Sequence, residues 1–136
     1  MTRINLVDPS QLTDKHLMAE YRELPRIFTA VKKLEGLPPE FVSKTYILGT
    51  GHCKFFYDKI GWLYHRYDSL YAELVKRKYN LDYDMFSNIL NGAAALMKNP
   101  LYCVDYQPTP EEIYLNMARI VKRSNLPNVI IEAKSE

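Results

Sequence analysis

Apolar and polar positions alternate with a helical period over residues 14–34. The apolar side chains are separated in turn by four and three positions, so they fall on one face of a helix. They are Leu17, Tyr21, Leu24, Phe28 and Val31. Such a face is buried in a folded protein, and the pattern predicts a helix from about Asp14 to Leu34 with Thr13 as its N-cap. Pro25 has no amide proton to donate within this helix, which predicts a kink there.

Three more helices are predicted further along the chain. A second apolar stripe predicts a helix from about Phe56 to Lys78. Its members are Ile60, Leu63, Tyr64, Tyr67, Tyr71 and Leu74. A shorter helix is expected from Tyr83 to Lys98. Thr109 and Glu112 are spaced to form a capping box, which predicts a last helix running to about Ser124.

The segments between these helices are irregular. Residues 41–53 contain glycine, serine and threonine around the apolar triplet Tyr46-Ile47-Leu48, which indicates a packed loop or a short extended segment. The length of 136 residues suits one domain, and no internal repeat or linker divides the chain. The sequence therefore predicts an all-α fold, a compact single domain over residues 1–136 with three to four helices and irregular connections.

Composition and charge exclude several classes of protein. With 47% hydrophobic and 25% charged residues, the composition is that of a folded protein and excludes a disordered or low-complexity chain. The net charge of +2 does not by itself indicate a polyanionic partner. The three histidines and two cysteines show no metal-ligand spacing, so no metal or cofactor is expected, and the cysteines are interpreted as buried thiols. The sequence has neither a signal peptide nor a run of membrane-spanning length, which predicts a cytoplasmic protein without membrane contact.

Polar residues of the first predicted helix share one flank. Arg22 and Arg26 are four residues apart, Glu23 lies three residues before Arg26, and His16 lies seven residues before Glu23. This pattern is typical of a solvated helix face with intrahelical ion pairs, and it also suits a functional site. Both interpretations remain open at this point.

The last predicted helix carries a basic ridge opposite its apolar stripe. Arg119, Lys122 and Arg123 form this ridge at separations of three and four positions. Two basic ridges on separate helices could contact a phosphate backbone, because neutralising phosphates releases counterions and gives affinity without sequence preference. Partner binding and simple solvation explain the ridge as well.

Several blocks of residues carry a resemblance to a known family. They are Thr2-Arg3-Ile4-Asn5-Leu6, the run His16-Leu17-Met18-Ala19-Glu20-Tyr21-Arg22-Glu23-Leu24-Pro25-Arg26, Ile47–His52 with Phe55–Lys59, and Asp105-Tyr106 with Pro108, Arg119 and Arg123. In these blocks the chain resembles the phage endonuclease V family of pyrimidine-dimer DNA glycosylases. The resemblance is dense up to about residue 80. Beyond it the last helix aligns, with Arg123 in place of a lysine.

This resemblance implies a fold and a reaction. The fold would be helical and metal-free, with the N-terminal segment threaded between the helices so that the amine of Thr2 lies beside Glu23. The amine would attack C1′ of a pyrimidine dimer's deoxyribose, expel the base and form an imine, and β-elimination would then cut the strand. An α-amine suits this role because its pKa is about 7.8, against about 10.4 for lysine. Glu23 would stabilise the positive charge, and Met1 would have to be removed to expose the amine.

The implied substrate is double-stranded DNA containing UV lesions, bound by a monomeric DNA-repair enzyme, in the host cytoplasm if a phage encodes it. The residues assigned to DNA binding are Arg3, His16, Arg22, Arg26, Arg119, Lys122 and Arg123. Two alternatives stay open: a related glycosylase/lyase for other damaged bases, and a non-catalytic helical DNA-binding module. The family ends in an aromatic-rich tail, whereas residues 126–132 contain no aromatic side chain, so the lesion preference is open as well.

Overall fold

The first apolar stripe forms two helices, α1 (Asp14–Glu23) and α2 (Pro25–Lys32), in the computed structural model. Thr13 caps α1, because its side-chain oxygen accepts a hydrogen bond from the amide of His16 at 3.2 Å. Pro25 cannot donate the hydrogen bond that would continue α1, so the helix breaks there. The predicted kink is therefore confirmed as a division into two helices.

The structure describes residues 3–40 and 44–124, apart from the side chains of 123 and 124, and within these ranges it is helical without strands. The remaining helices are α3 (His52–Phe55), α4 (Ile60–Lys76), α5 (Tyr83–Met97) and α6 (Pro110–Ser124), with short 3₁₀ turns at Pro9–Gln11 and Pro100–Tyr102. The predicted all-α architecture is confirmed. It contains more helical segments than the expected three or four, because Pro25 divides the first helix and the single turn α3 precedes α4.

The helix predicted from Phe56 begins four residues later, at Ile60. Lys59 leaves the helical region with φ −120° and ψ 40°, which separates α3 from α4. The Lys59 ammonium donates to the carbonyl of Phe55 and to the carboxylate of Asp58, so this residue closes the turn between the two helices. The other predicted boundaries agree with the structure to within two residues.

The helices meet in an aromatic core around α4, which packs against both α1 and α5. Tyr21 of α1 stacks on Tyr67 of α4 with ring centroids 4.9 Å apart, and Tyr71 of α4 stacks on Phe86 of α5 at 3.8 Å. Burying each large apolar side chain contributes roughly 1.5–3 kcal/mol relative to leaving it in water. The stripes predicted for the first two helices therefore supply a large part of the core, and residues of the N-terminal segment, the loops, α5 and α6 supply the rest.

Polar side chains fix the start of α6 and a distant loop at once. Thr109 and Glu112 form the predicted capping box: the amide of Glu112 donates to Thr109 Oγ1 at 3.1 Å, and the amide of Thr109 donates to Glu112 Oε1 at 3.0 Å. Glu112 Oε2 also accepts from the amide of Tyr46 at 2.7 Å. The carboxylate thus joins α6 to the loop before α3.

None of the helices in the described ranges combines the length and the apolar character that a membrane crossing requires.

Candidate active site

Residues 4–7 run through the interior of the bundle, as the threaded N-terminal segment was expected to do. Ile4 is completely buried. Its amide donates to Nε2 of His52 at 2.8 Å, and its carbonyl accepts from the hydroxyl of Tyr46 at 2.7 Å. Both main-chain groups of one residue are therefore satisfied by buried side chains from the loop and the helix that follow α2.

Asn116 of α6 fixes the next part of this segment. Its Oδ1 accepts from the amides of Leu6 and Val7 at 2.7 and 3.3 Å, and its Nδ2 donates to Oδ1 of Asn5 at 2.8 Å. The side chain is fully buried, so every one of these bonds replaces a bond to water. The N-terminal segment consequently has a single register against α6.

A buried ion pair completes the surroundings of the segment. Arg66 of α4 donates to both carboxylate oxygens of Glu20 in α1, at 2.7 and 3.0 Å, and also to the carbonyl of Val7. Oε1 of Glu20 accepts a further bond from Asn5 at 2.8 Å. The side chains of Arg66 and Glu20 are 6% and 0% exposed. A buried ion pair of this kind persists only because its hydrogen bonds compensate for lost hydration.

The His52 ring is held in one tautomer and kept neutral. Its Nε2 must carry a lone pair, because it accepts from an amide, so Nδ1 carries the proton and donates to the carbonyl of Ile47 at 2.7 Å. Burial lowers the pKa of His52 to about 4, and the positive charges of Arg3 and Arg119 act in the same direction against the bond to Ile47. His52 is therefore uncharged at neutral pH.

Charged side chains from three parts of the chain shift the pKa values of His52 and Cys53. Burial raises the pKa of the Cys53 thiol; the negative charge of Glu23 raises it too, and the positive charge of Arg3 lowers it. Since Arg3 and Arg119 both act on His52, the carboxylate of Glu23 and two guanidinium groups lie within electrostatic range of α3. The two cysteines of the chain remain thiols and are half-buried.

The flank predicted on α1 is present, and its members differ in exposure. Glu23 is the last residue of α1, and its Oε1 lies 3.7 Å from a terminal nitrogen of Arg26. The Arg26 side chain is 69% exposed, against 23% for Glu23, so solvent weakens this long ion pair. Arg22 is exposed on the same helix.

His16 lies seven residues before Glu23, about 10 Å along the helix axis. It is half-buried, and its Nδ1 contacts the hydroxyl of Thr13 at 2.9 Å. Burial lowers the pKa of His16, and the charge of Lys15 lowers it further. The structure therefore places His16 at the capped start of α1 as a neutral ring, apart from the carboxylate.

The ridge of α6 is partly described. Arg119 is half-buried, and its Nε is buried without a hydrogen-bond partner among the described residues. Lys122 is exposed one turn later. Arg123 lies in α6, but its side chain is outside the description, and Thr2 lies outside the described residues altogether.

Five residues around the N-terminal segment were not predicted from the sequence, and three of them share one signal. Glu20, Arg66 and Asn116 are polar residues on the apolar faces of α1, α4 and α6, each three or four positions from apolar residues of its own helix. A polar residue inside an apolar stripe is the signal that could have found them, because a buried polar group requires partners. Asn5 and Tyr46 lie outside any periodic pattern and gave no such signal.

The described residues bring together no group of three His, Cys, Asp or Glu side chains that could hold a metal ion. In a comparison with known protein families, the family described as pyrimidine dimer DNA glycosylase matches residues 1–87. The matched part contains the N-terminal segment, α1 to α4 and the start of α5. It includes His52 and Glu23, whereas Arg119 and Asn116 of α6 lie beyond it.

Proposed function

The chain belongs to the pyrimidine dimer DNA glycosylase family, and from that premise we propose that it couples base release to strand cleavage through the α-amine of Thr2. Residues 1–136 act as one domain in this proposal, because α6 supplies side chains to the N-terminal segment and to the loop before α3. The groups required all come from one chain, so a monomer suffices.

The position of Ile4 is the observation that carries this proposal. Two peptide units join Thr2 to Ile4, so their Cα atoms can be at most about 7 Å apart. The amide of Ile4 donates to His52, whose pKa is lowered by burial and by the charges of Arg3 and Arg119. Glu23 affects the pKa of the next residue, Cys53. Chain connectivity therefore supports an N-terminal amine close to both a carboxylate and positive charge.

In the proposed reaction the neutral amine of Thr2 attacks C1′ of the dimer's 5′ nucleotide. The bond between C1′ and the base nitrogen breaks, and its electron pair leaves with the base. The departing base takes up one of the two amine protons. The bond from C1′ to the ring oxygen O4′ then breaks as that oxygen is protonated, and the nitrogen lone pair forms the double bond of an iminium ion at C1′ that keeps one N–H. A proton then leaves C2′, the bond from C3′ to the 3′ phosphate oxygen breaks, and hydrolysis of the imine releases the protein.

Glu23 and the positive side chains have complementary roles in this scheme. Positive charge develops on the sugar during base loss and persists on the iminium ion, so a carboxylate beside it lowers the barrier and can carry a proton. Neighbouring arginines favour the neutral amine by disfavouring its protonated form. Glu23 is thus assigned as catalytic together with Thr2.

The DNA contacts are proposed from exposure and charge. Arg22 and Arg26 are exposed at the end of α1 and the start of α2, and Lys122 is exposed on α6. Each can neutralise a phosphate. The buried Nε of Arg119 gains a partner if a phosphate or sugar oxygen binds there. Arg3, His16 and Arg123 complete the proposed set, with His16 donating as a neutral ring.

Reductive trapping tests this proposal. The protein is mixed with borohydride and a duplex carrying one cyclobutane dimer, with undamaged and 8-oxoguanine duplexes as controls. A covalent complex is expected with the dimer alone, and peptide mapping should place the linkage on Thr2 after loss of Met1. Trapping on 8-oxoguanine would favour the other-lesion alternative.

The matched variant carries one extra residue before Thr2. Its added amine lies about 3.5 Å further along the chain, a displacement large enough to cost orders of magnitude in rate. Trapping should be suppressed while binding to damaged duplex survives. Linkage mapped to a lysine, or full trapping by a protein that retains Met1, would contradict the mechanism.

A further inference from the structure

The turn before α3 directs His52 into the bundle. Gly49 and Gly51 have φ angles of 79° and 90°, a region that glycine adopts without steric cost. A Cβ at Gly51 would lie 3.2 Å from Cδ1 of Ile47, so the turn is also tightly packed. The two glycines thus let the chain reverse within a few residues and begin α3 with His52 facing the N-terminal segment.

The orientation of the His52 ring is fixed on every side. The ring is 1% exposed and bonds two main-chain groups, the carbonyl of Ile47 and the amide of Ile4. Tyr46 and Phe56 pack against it edge-on, with ring centroids 5.2 and 5.8 Å away. A ring held in this way cannot rotate to release one bond without disturbing the other.

We propose that His52 is a positioning residue for the amine nucleophile: it sets the register of the main chain at Ile4 and thereby the place that the Thr2 amine reaches. This inference rests on the proposed function. His52 touches neither DNA nor the reacting atoms in this role. Of the described side chains that bond the segment's amides, His52 acts nearest to Thr2, since Asn116 bonds Leu6 and Val7.

The proposal predicts that losing an acceptor lowers the rate of the reaction less, the further its hydrogen bond lies from Thr2 along the segment. Loss of the His52 acceptor leaves the Ile4 amide buried without a partner and lets the first residues shift, and a shift of about 1 Å costs roughly a hundredfold in rate. Loss of the Asn116 acceptor loosens the chain further from the amine, so it should lower stability with a smaller effect on the reaction.

The experiment measures imine formation by itself. A duplex with one preformed abasic site needs no base release, so single-turnover borohydride trapping reports the attack of the amine. The proteins are wild type, His52→Leu, His52→Gln, Asn116→Ala and Phe86→Leu, the last being a control for lost core packing in α5. Duplex affinity and thermal stability are measured in parallel.

His52→Leu should trap about a hundredfold more slowly than wild type while its duplex affinity stays close to that of wild type. The amide oxygen of His52→Gln can accept the bond from Ile4, so this variant should recover part of the rate. Asn116→Ala and Phe86→Leu should lose stability with much smaller changes in rate. A His52→Leu rate no lower than that of Phe86→Leu would overturn the inference.

Nitrogen NMR of the wild-type imidazole provides the second measurement, and it does not depend on the variants folding. At neutral pH the His52 ring should carry its proton on Nδ1, with Nε2 unprotonated and bonded to an amide. A charged ring, or a proton on Nε2, would also overturn the inference. Wild-type protein that forms no adduct at Thr2 would instead refute the proposed function and the positioning role with it.

Discussion

At the scale of single residues, Glu23 carries the clearest expectation for activity. Glu23→Gln should lower base release and strand cleavage about 10²–10³-fold, because it removes the charge that stabilises the cationic sugar. Affinity for dimer-containing duplex should remain close to that of wild type, since no phosphate contact is lost. Single-turnover cleavage and a binding titration measure the two quantities.

Glu40→Gln is the control for that variant, because Glu40 is an exposed carboxylate outside the proposed site. It should leave cleavage unchanged. Near-normal turnover of Glu23→Gln would remove Glu23 from the mechanism.

His52 makes stability depend on pH in a definite direction. Its pKa is about 4 in the folded protein against 6.5 ordinarily, so between these values the unfolded chain binds a proton that the folded protein does not. The free energy of unfolding therefore falls as pH drops below 6.5, by up to about 3 kcal/mol near pH 4, and the full contribution is present above 6.5.

Urea denaturation across that pH range tests this expectation. The pKa of His16 is shifted in the same direction, so the informative quantity is the difference between wild type and His52→Gln. This difference should vary with pH between about 4 and 6.5 and level off above it. Two parallel stability curves would contradict the assignment.

At the scale of elements, the Glu20–Arg66 pair joins α1, α4 and the N-terminal segment. Arg66→Met leaves a buried carboxylate without its charged partner, which should cost about 3–5 kcal/mol of unfolding free energy. The double variant Glu20→Met/Arg66→Met should recover part of this loss, because an apolar pair needs no hydrogen bonds. Urea denaturation of both single variants and the double variant gives the coupling; additive losses would show that the two side chains act independently.

The elements also show what a sequence can and cannot predict. Thr13 and the Thr109–Glu112 box were predicted because a cap and its partner lie three residues apart, within one turn. The apolar faces followed from their period. Asn116, by contrast, bonds Leu6 across 110 residues, and no local pattern encodes a partner at that distance. The longer helices of the fold were therefore predictable, whereas the single turn α3 and the polar network that positions the N-terminal segment were not.

The same limit applies to the candidate site. Glu23 and the arginines were assigned through resemblance, because periodicity alone favoured a solvated helix face over a functional site. The structure contains the ion pair between Glu23 and Arg26, at 3.7 Å, that the helical spacing predicts. It also shows that burial lowers the pKa of His16 and keeps its ring neutral. Burial is a property of the folded molecule, so the sequence could not supply it.

At the scale of the whole molecule, the distribution of charge matters more than the net value of +2. Arg22→Gln and Arg26→Gln should each weaken duplex binding and reduce the slope of log affinity against log salt by about one, as expected for one phosphate contact. Lys98→Gln, at an exposed position after α5, is the control and should leave the slope unchanged. Binding titrations at several salt concentrations provide the slopes. An unaltered slope for Arg26→Gln would assign Arg26 to its ion pair with Glu23.

The bond between Leu6 and Asn116 has a consequence for how the protein is made. Ribosomes add about 5–20 residues per second, so the partner of Leu6 is synthesised on the order of ten seconds after it. Until α6 arrives, the amides of Leu6 and Val7 lack their acceptor, the amide of Tyr46 lacks Glu112, and the DNA contacts proposed on α6 are absent. Contacts between distant parts of a chain also form late in folding. The nascent chain should therefore be inert toward DNA, and activity should begin only when the last helix closes over the first residues.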